Sequence, residues 1–143
     1  MVNIYLIRHG KASSGWDTNN PKLDRIGREQ SDKIALKLSK ISKEPFDIFS
    51  SPLKRCIETA EPFSKIKNKK IKIEKRVIEI PSPIENLKKR VVWLKRVLPL
   101  TWGELISDEE SKKSKIDYFL WRDNILKFFL SLNKDTFIFT HYL

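Results

Sequence analysis

Two arginines and both histidines of the chain stand where predicted secondary structure elements begin or end. Arg8 and His9 follow an apolar run and precede Gly10, and His141 follows a second apolar run near the end of the chain. Arg55 comes shortly after a third run, within the first turn of a predicted helix. Guanidinium groups bind phosphate oxygens through paired N–H donors, and a helix N-terminus near Ser51 would add free N–H groups and partial positive charge. This combination predicts a site that holds an anion.

The strands that must position these residues are separated by helical segments. Apolar, β-prone runs predict strands at Val2–Ile7, Phe46–Phe49 and Thr136–Thr140, and a further strand at either Ile71–Ile73 or Val77–Ile80. The first of these is apolar throughout, so we expect it to be buried in the sheet.

The helices are indicated by caps and by apolar spacing. Asp24 is a good N-cap for one helix, which Pro45 prevents from continuing, and Ser51-Pro52 supplies an N-cap and a first helical residue for the next, expected to reach Phe63. Later helices are predicted from the apolar spacing of Leu87, Val91, Leu94 and Leu98 and from Phe119–Leu132, whereas the polar segment Asp108–Lys115 is expected to be a loop.

Strands that alternate with helices predict an α/β fold. We expect a three-layer αβα sandwich with a mostly parallel sheet, forming one domain over residues 1–143. In such sheets ligands bind beyond the carboxyl ends of the strands. Arg8, His9, Arg55 and His141 should therefore meet at one edge of the sheet, although they are far apart in sequence.

Composition narrows the class of protein. The net charge is +11, but the lysines are dispersed, and their densest run, residues 65–76, lacks the aromatic residues of a single-strand binder, so no nucleic acid partner is expected. No apolar run is long enough to span a membrane, and the N-terminus lacks the features of a signal peptide. The single cysteine, Cys56, cannot form an internal disulfide. We expect a cytoplasmic protein.

Four segments together resemble the histidine phosphatase superfamily, which is also called the phosphoglycerate mutase-like superfamily. They are Arg8-His9-Gly10 after an apolar strand, the helix start in Leu23–Leu38, the Ser-Ser-Pro-x-x-Arg segment within Ser50–Glu61, and the final strand ending in Thr140-His141. Arg-His-Gly alone is a weak signal. All four segments in this order cover nearly the whole chain and are a specific signal.

The resemblance implies phosphoryl transfer through a covalent phosphohistidine. By position, His9 is the nucleophile, and a backbone carbonyl that accepts its other N–H would leave the attacking nitrogen unprotonated. Arg8, Arg55 and His141 would bind the phosphoryl oxygens, and Ser13 and Ser14 could add hydroxyl contacts. No cofactor and no metal ion are expected, because the cationic side chains replace the metal of other phosphotransferases and the sequence has no metal-ligand spacing.

A proton donor for the leaving group is also implied by the resemblance. The family usually places a glutamate after the next strand, and Glu79 matches by context, with Glu85 as the second candidate. The substrate would be a phosphorylated small molecule or a phosphoprotein, which the sequence does not identify. The oligomeric state is equally open.

Two alternatives keep the same fold. One is a cofactor-dependent phosphoglycerate mutase, although such mutases are typically much longer. The other is a non-catalytic module that binds a phosphorylated ligand. The latter is motivated by the end of the sequence at Leu143, two residues after His141, where the family's chain continues. We therefore expect a chain that is truncated there or a fold that closes differently.

Overall fold

A single parallel sheet of four strands organises the described part of the chain. The computed structural model describes residues 1–14 and 19–142. The strands are β1 (Ile4–Arg8), β2 (Phe46–Ser50), β3 (Ile71–Ile73) and β4 (Asp135–Thr140), in the sheet order β1-β4-β2-β3. β4, the last strand in sequence, lies between the first two and pairs in parallel with both. All four strands therefore end at the same edge, and the predicted α/β class is confirmed.

Six helices and one 3₁₀ turn lie among these strands. They are α1 (Arg25–Ile41), α2 (Lys54–Lys67), the 3₁₀ turn (Lys75–Val77), α3 (Leu87–Val97), α4 (Trp102–Ser107), α5 (Glu109–Lys113) and α6 (Tyr118–Ser131). None of the described helices is both long and apolar enough to cross a membrane.

Helices α1 and α2 cover one face of the sheet. Phe137 and Phe139 of β4 point to this face and pack with Phe46 and Ile48 of β2 against Ala35, Leu38, Ala60 and Phe63 of the two helices. Burial of these apolar side chains is the main force that holds the layer together. Because both helices pack on the same strands, the loop after β1 and the first turn of α2 are brought together.

Helix α6 covers part of the opposite face. Ile138 of β4 packs there against Phe128 and Val77, and Phe49 of β2 adds to this cluster. A third cluster joins α3, α4 and α6 through Trp93, Leu94, Val97, Leu105 and Tyr118. The sheet is therefore flanked by helices on both faces, as a three-layer sandwich requires.

Two local expectations were wrong. β1 is an edge strand and is not buried on both sides, since Leu6 and Ile4 are 59% and 37% exposed on the face that α6 leaves uncovered. The segment Asp108–Lys115 contains helix α5, because the Asp108 side chain caps its first turn by accepting from the Ser111 N–H. Of the two segments offered for a further strand, Ile71–Ile73 is the strand and pairs with β2, whereas Val77–Ile80 is not.

The buried side of α3 also differs from the predicted one. Trp93, Leu94 and Val97 face the core, whereas Leu98 ends the helix as its C-cap and is 40% exposed. The buried face of α3 is therefore rotated relative to the face that the 4-3-4 spacing of leucine and valine predicts. Trp93 lies on the buried face, where it packs in one cluster with residues of α4 and α6.

Candidate active site

His9 lies at the carboxyl end of β1, and two hydrogen bonds determine its tautomer. Its Nδ1 is 2.7 Å from the carbonyl oxygen of Gly10, which can only accept, so Nδ1 carries the hydrogen. The Nε2 atom accepts a hydrogen bond from Arg55 Nε at 3.2 Å, so it is unprotonated. Burial lowers the pKa of His9, and the positive charges of Arg55 and Arg8 lower it further, against the opposing effect of the Gly10 hydrogen bond. His9 is therefore a neutral imidazole with its free electron pair on Nε2.

Arg55 is the residue that connects the site. It lies in the first turn of α2 and is only 7% exposed. Besides His9, its guanidinium donates from Nη2 to Glu79 Oε2 at 3.0 Å and to His141 Nδ1 at 3.3 Å. One buried cation thus contacts two imidazoles and one carboxylate from three different parts of the chain.

His141 follows β4 and is nearly buried. Because Arg55 has only donors, Nδ1 of His141 accepts, and Nε2 then donates to the Ser51 hydroxyl at 2.8 Å. Burial, followed by the positive charge of Arg55, lowers the pKa of His141 to about 3. The ring centroids of the two histidines are 5.4 Å apart. Because each ring accepts a hydrogen bond from Arg55, both imidazoles are neutral.

Ser51 does not cap a helix, contrary to the sequence-based expectation. Helix α2 begins at Lys54 with Leu53 as N-cap and no side-chain cap. The Ser51 side chain is fully buried and binds His141 instead. A residue from the end of β2 therefore orients an imidazole at the end of β4, which is possible because the two strands are neighbours in the sheet.

Glu79 lies between two arginines. Its Oε2 accepts from Arg55 at 3.0 Å and from Arg90 of α3 at 3.3 Å, and its side chain is 10% exposed. Glu85, the second candidate, is exposed on the wall of the same cleft. Of the two glutamates, Glu79 is thus the one in direct contact with the cluster of His9, Arg55 and His141.

The other predicted site residues line the cleft without joining this cluster. Arg8 is exposed, and its guanidinium lies over the Tyr142 ring at 5.3 Å from the centroid. Ser13 and Ser14 lie in the loop after β1, where the Ser13 backbone N–H donates to the Lys22 carbonyl. The cleft has a volume of about 1860 Å³ and is bounded by the β1 loop on one side and residues 78–90 on the other.

Three contributors to the site were not among the candidate residues predicted from the sequence. Thr59 accepts from the Gly10 N–H at 3.0 Å and so holds the loop that follows His9. Cys56 is fully buried with its sulfur 3.4 Å from His141 Nε2, and burial raises the pKa of its thiol to about 12, so it is not a nucleophile here. Arg90 is the third. The packing of α3 places it in the cleft.

The arrangement places an unprotonated imidazole nitrogen, Nε2 of His9, beside the buried guanidinium of Arg55. Nε2 of His9 can attack an electrophile that takes the place of the Arg55 hydrogen bond, and Arg55 can then bind the anionic oxygens of that group. Glu79 is positioned to exchange a proton on the adjacent side. Among the described residues, no group of three or more His, Cys, Asp or Glu side chains could hold a metal ion.

Comparisons with known proteins bear on the family and the fold of this chain. The family model of the histidine phosphatase superfamily (branch 1) matches residues 4–89. Phosphoserine phosphatase 1 of Hydrogenobacter thermophilus is 38% identical over 88 residues, which are 56% of this chain and 39% of that protein. The match thus spans about two fifths of the length of this curated relative.

Solved structures show the same fold. A phosphoserine phosphatase from Entamoeba histolytica in complex with 3-phosphoglyceric acid superposes with a TM-score of 0.66 at 18% identity, over 99% of this chain and 74% of that chain. A putative alpha-ribazole-5'-P phosphatase from Escherichia coli gives a TM-score of 0.68 at 15% identity, over 98% of this chain and 73% of that chain.

Proposed function

Because the chain belongs to the histidine phosphatase superfamily, we propose that the protein is a metal-independent phosphatase that transfers a phosphoryl group through His9 to water. The observation that carries the proposal is the state of His9. A neutral imidazole whose Nδ1–H is bound by the Gly10 carbonyl has its nucleophilic electron pair on Nε2, beside the buried guanidinium of Arg55. Named relatives that are phosphatases support the same reaction class.

In the first half-reaction, Nε2 of His9 attacks the phosphorus atom of a phosphomonoester. The bond from phosphorus to the ester oxygen breaks, and Glu79 donates a proton to the departing oxygen. Arg55 and Arg8 bind non-bridging oxygens and stabilise the charge in transit. His141 joins them once the bound anion favours a proton on its Nδ1, the nitrogen that accepts from Arg55 in the structure. The Arg55 hydrogen bond to Nε2 must move to a phosphoryl oxygen before attack, so substrate binding itself exposes the nucleophile.

In the second half-reaction, a water molecule attacks the phosphorus atom and the phosphorus–nitrogen bond breaks. The proton of that water passes to the Glu79 carboxylate, which restores the acid, and inorganic phosphate leaves. Arg55 contacts both Glu79 and His9, so its movement to the phosphoryl group changes the surroundings of the acid and of the nucleophile together.

The test is a labelling experiment in the presence of a strong chelator. Rapid quenching after mixing with a radiolabelled aryl phosphate should trap a phosphoenzyme that is labile in acid, as phosphoramidates are, and stable in base. His9→Ala should abolish the label. His9→Gln, which conserves volume and polarity, serves as the folding control and should also remain unlabelled.

Three results would contradict the proposal. They are label that survives in His9→Ala, label that resists acid, and label that forms only after Mg²⁺ or Zn²⁺ is added. The absence of any phosphoenzyme and of any vanadate-sensitive hydrolysis would favour the non-catalytic alternative. Activity that depends on a bisphosphate primer would instead favour the mutase.

A further inference from the structure

Ser51 occupies a fixed position beside the Nε2 atom of His141. Its side chain is fully buried, and its hydroxyl oxygen is 2.8 Å from that nitrogen. Its backbone N–H donates to the Phe139 carbonyl of β4 at 2.9 Å, and the Ser50 hydroxyl donates to its carbonyl at 2.8 Å. Because the backbone of Ser51 is bound through both its N–H and its carbonyl, the hydroxyl is held against the imidazole.

The hydrogen bonds of this pair determine where the hydrogen of the neutral ring lies. Nδ1 of His141 accepts from Arg55 at 3.3 Å, so the hydrogen is on Nε2 and the Ser51 oxygen accepts it. The Leu53 N–H also donates to this oxygen, at 3.4 Å. A hydroxyl oxygen has two lone pairs, and both are directed at donors here. Ser51 is therefore the acceptor that favours the Nε2–H tautomer.

The thiol of Cys56 lies against the same nitrogen but donates elsewhere. Its sulfur is 3.4 Å from Nε2 of His141, and it donates to the Thr140 carbonyl at 3.5 Å. Burial raises the pKa of this thiol to about 12, so the sulfur keeps its hydrogen at neutral pH. Without the Ser51 hydroxyl, the thiol could donate to an unprotonated Nε2, and the ring hydrogen could then lie on Nδ1. The Ser51 hydroxyl thus selects between two neutral tautomers.

The tautomer determines how His141 meets an anion. In the Nε2–H form, Nδ1 presents a lone pair on the side of Arg55. The oxygens of a phosphoryl group are also acceptors, so this neutral ring cannot donate a hydrogen bond to them. Burial and the charge of Arg55 lower the pKa of His141 to about 3, so the ring is neutral near neutral pH before an anion binds. An adjacent anion stabilises the imidazolium and favours a proton on Nδ1.

We propose that Ser51 is a positioning residue that keeps the hydrogen of neutral His141 on Nε2, so that the site takes up a proton at Nδ1 when it binds an anion. The inference rests on the proposed function, in which a phosphoryl group draws Arg55 away from Nδ1. The proton comes from solvent, Nδ1–H then donates to the anion, and Nε2–H stays bound to Ser51. Anion binding should therefore strengthen as the pH falls.

Other charged and titratable groups face His141, and the measurement must separate their protons from its own. They are Arg55 and Cys56 of α2, His9 after β1, Glu79, which shares Arg55 with His141, and Arg90 of α3. The arginines keep their charge, and Cys56 keeps its hydrogen. His9 and Glu79 can take up protons when an anion displaces Arg55, but they do so with or without the Ser51 hydroxyl. A comparison of the wild type with Ser51→Ala therefore isolates the proton of His141.

The first test observes the tautomer directly and needs no Ser51 variant. The chain has two histidines, so comparison with His9→Gln assigns the ring nitrogens of His141 by NMR. At about pH 6, where an ordinary imidazole is mostly protonated, His141 of the wild type should carry hydrogen on Nε2 alone. Saturating sulfate should add a proton to Nδ1. A wild-type ring with its hydrogen on Nδ1, or one that sulfate leaves unchanged, would overturn the inference.

The second test counts protons. Calorimetric titration with sulfate in two buffers of different ionisation enthalpy gives the number taken up, and sulfate itself does not titrate near pH 6. The wild type should take up about one proton more per sulfate than Ser51→Ala, which corresponds to about 10-fold in affinity per pH unit. Equal uptake by the two proteins would overturn the inference.

Ser31→Ala is the matched control. It removes another buried serine hydroxyl, which contacts the backbone carbonyls of Glu58 and Thr59 in α2. It should take up as many protons as the wild type. A decrease in Ser31→Ala equal to that in Ser51→Ala would assign the effect to general loosening of the fold and refute the role of Ser51.

Both tests are independent of hydrolysis. The Nε2–H tautomer and the additional proton, found in a wild type that forms no phosphoenzyme, would support the role of Ser51 while the proposed function alone fails. A phosphoenzyme on His9 together with equal proton uptake in the wild type and Ser51→Ala would support the proposed function and refute the role of Ser51. A wild type that binds no sulfate would refute that role as well.

Discussion

The tautomer of His9 depends on two neighbours of different kinds. The Gly10 carbonyl is a local acceptor, contributed by the next residue, and acts on Nδ1. The Arg55 donor at Nε2 comes from 46 residues away and is held in place by α2. Local backbone geometry therefore determines which nitrogen is free, and the tertiary structure determines what that nitrogen faces.

The dependence of hydrolysis on the leaving group distinguishes Glu79 from Glu85 as the proton donor. Glu79→Gln should lower kcat for an alkyl phosphate by about 10²- to 10⁴-fold, because a poor leaving group needs a proton, and should change kcat for an aryl phosphate only a few-fold. Steady-state kinetics on a matched alkyl and aryl pair measures this. Glutamine still offers an oxygen to Arg55 and Arg90, so the geometry of the arginines is retained.

Glu85→Gln is the matched control, since Glu85 is exposed on the same cleft. It should leave kcat for both substrates nearly unchanged. An equal effect of Glu79→Gln on alkyl and aryl substrates would show that Glu79 is not the acid. A selective loss of alkyl phosphate hydrolysis in Glu85→Gln would assign the role to Glu85.

At the scale of elements, the loop after His9 rests on the first turn of α1. The Asp24 side chain caps this turn by accepting from the Gly27 N–H. A Cβ on Gly27 would lie 2.1 Å from the Lys11 carbonyl oxygen, and a Cβ on Gly10 would lie 2.6 Å from the Gly27 carbonyl oxygen. The two backbones approach so closely that both positions require glycine, and this contact fixes the loop on which His9 depends.

Gly27→Ala should therefore destabilise the fold by about 1–3 kcal/mol, as overpacking does, and should also reduce phosphatase activity because Gly10 and Lys11 must move. Gly103→Ala is the control, since a Cβ there meets nothing within 4 Å and lies in helix α4. Alanine should be neutral or stabilise that helix by about 0.5–1 kcal/mol. Denaturant titration of both variants measures the contrast, and equal stabilities would refute the packing argument.

At the scale of the whole molecule, the parallel sheet brings residues from distant segments of the chain together in one site. β4 pairs with both β1 and β2, so the residues that follow these three strands, His9, Ser51 and His141, meet at one edge. The net charge of the chain is +11, which favours the approach of anionic ligands.

The two imidazoles of the site should make the fold sensitive to mild acid. An unfolded histidine binds a proton near pH 6.5, whereas burial lowers the pKa of His141 to about 3 and lowers that of His9. Between these values the unfolded state binds more protons than the folded state. The contribution of the two histidines to the free energy of unfolding is therefore fully present above about pH 6.5 and decreases as the pH falls. Each such proton contributes a slope of about 1.4 kcal/mol per pH unit.

His141→Gln isolates this contribution. The variant should lose less stability than the wild type between pH 7 and pH 5, with the free energy of unfolding measured by denaturant titration at both values. The carboxylates that also titrate in acid are common to both proteins and cancel in the comparison. Equal decreases in the free energy of unfolding of the two proteins would show that His141 is not held neutral in the folded state.

The sequence by itself determined the order of strands and helices and the residues that end them. Apolar runs, the Asp24 cap and Pro45 are local signals, and the carboxyl ends of parallel strands must share an edge. These rules suffice to predict the α/β class and the approach of Arg55 to His9 and His141. They also identify the family, because its motifs are short and stand at element ends.

Only the tertiary structure decided which side chains meet. Ser51 was expected at a helix start but binds His141, which is 90 residues away, and Arg90 reaches Glu79 from a helix whose apolar spacing was offset from its buried face. β1 lies at the open edge of the sheet, although its composition indicated full burial. Contacts of this kind depend on how elements pack across the sheet. Local patterns determine element type and face, but they do not determine which distant side chain fills the remaining space.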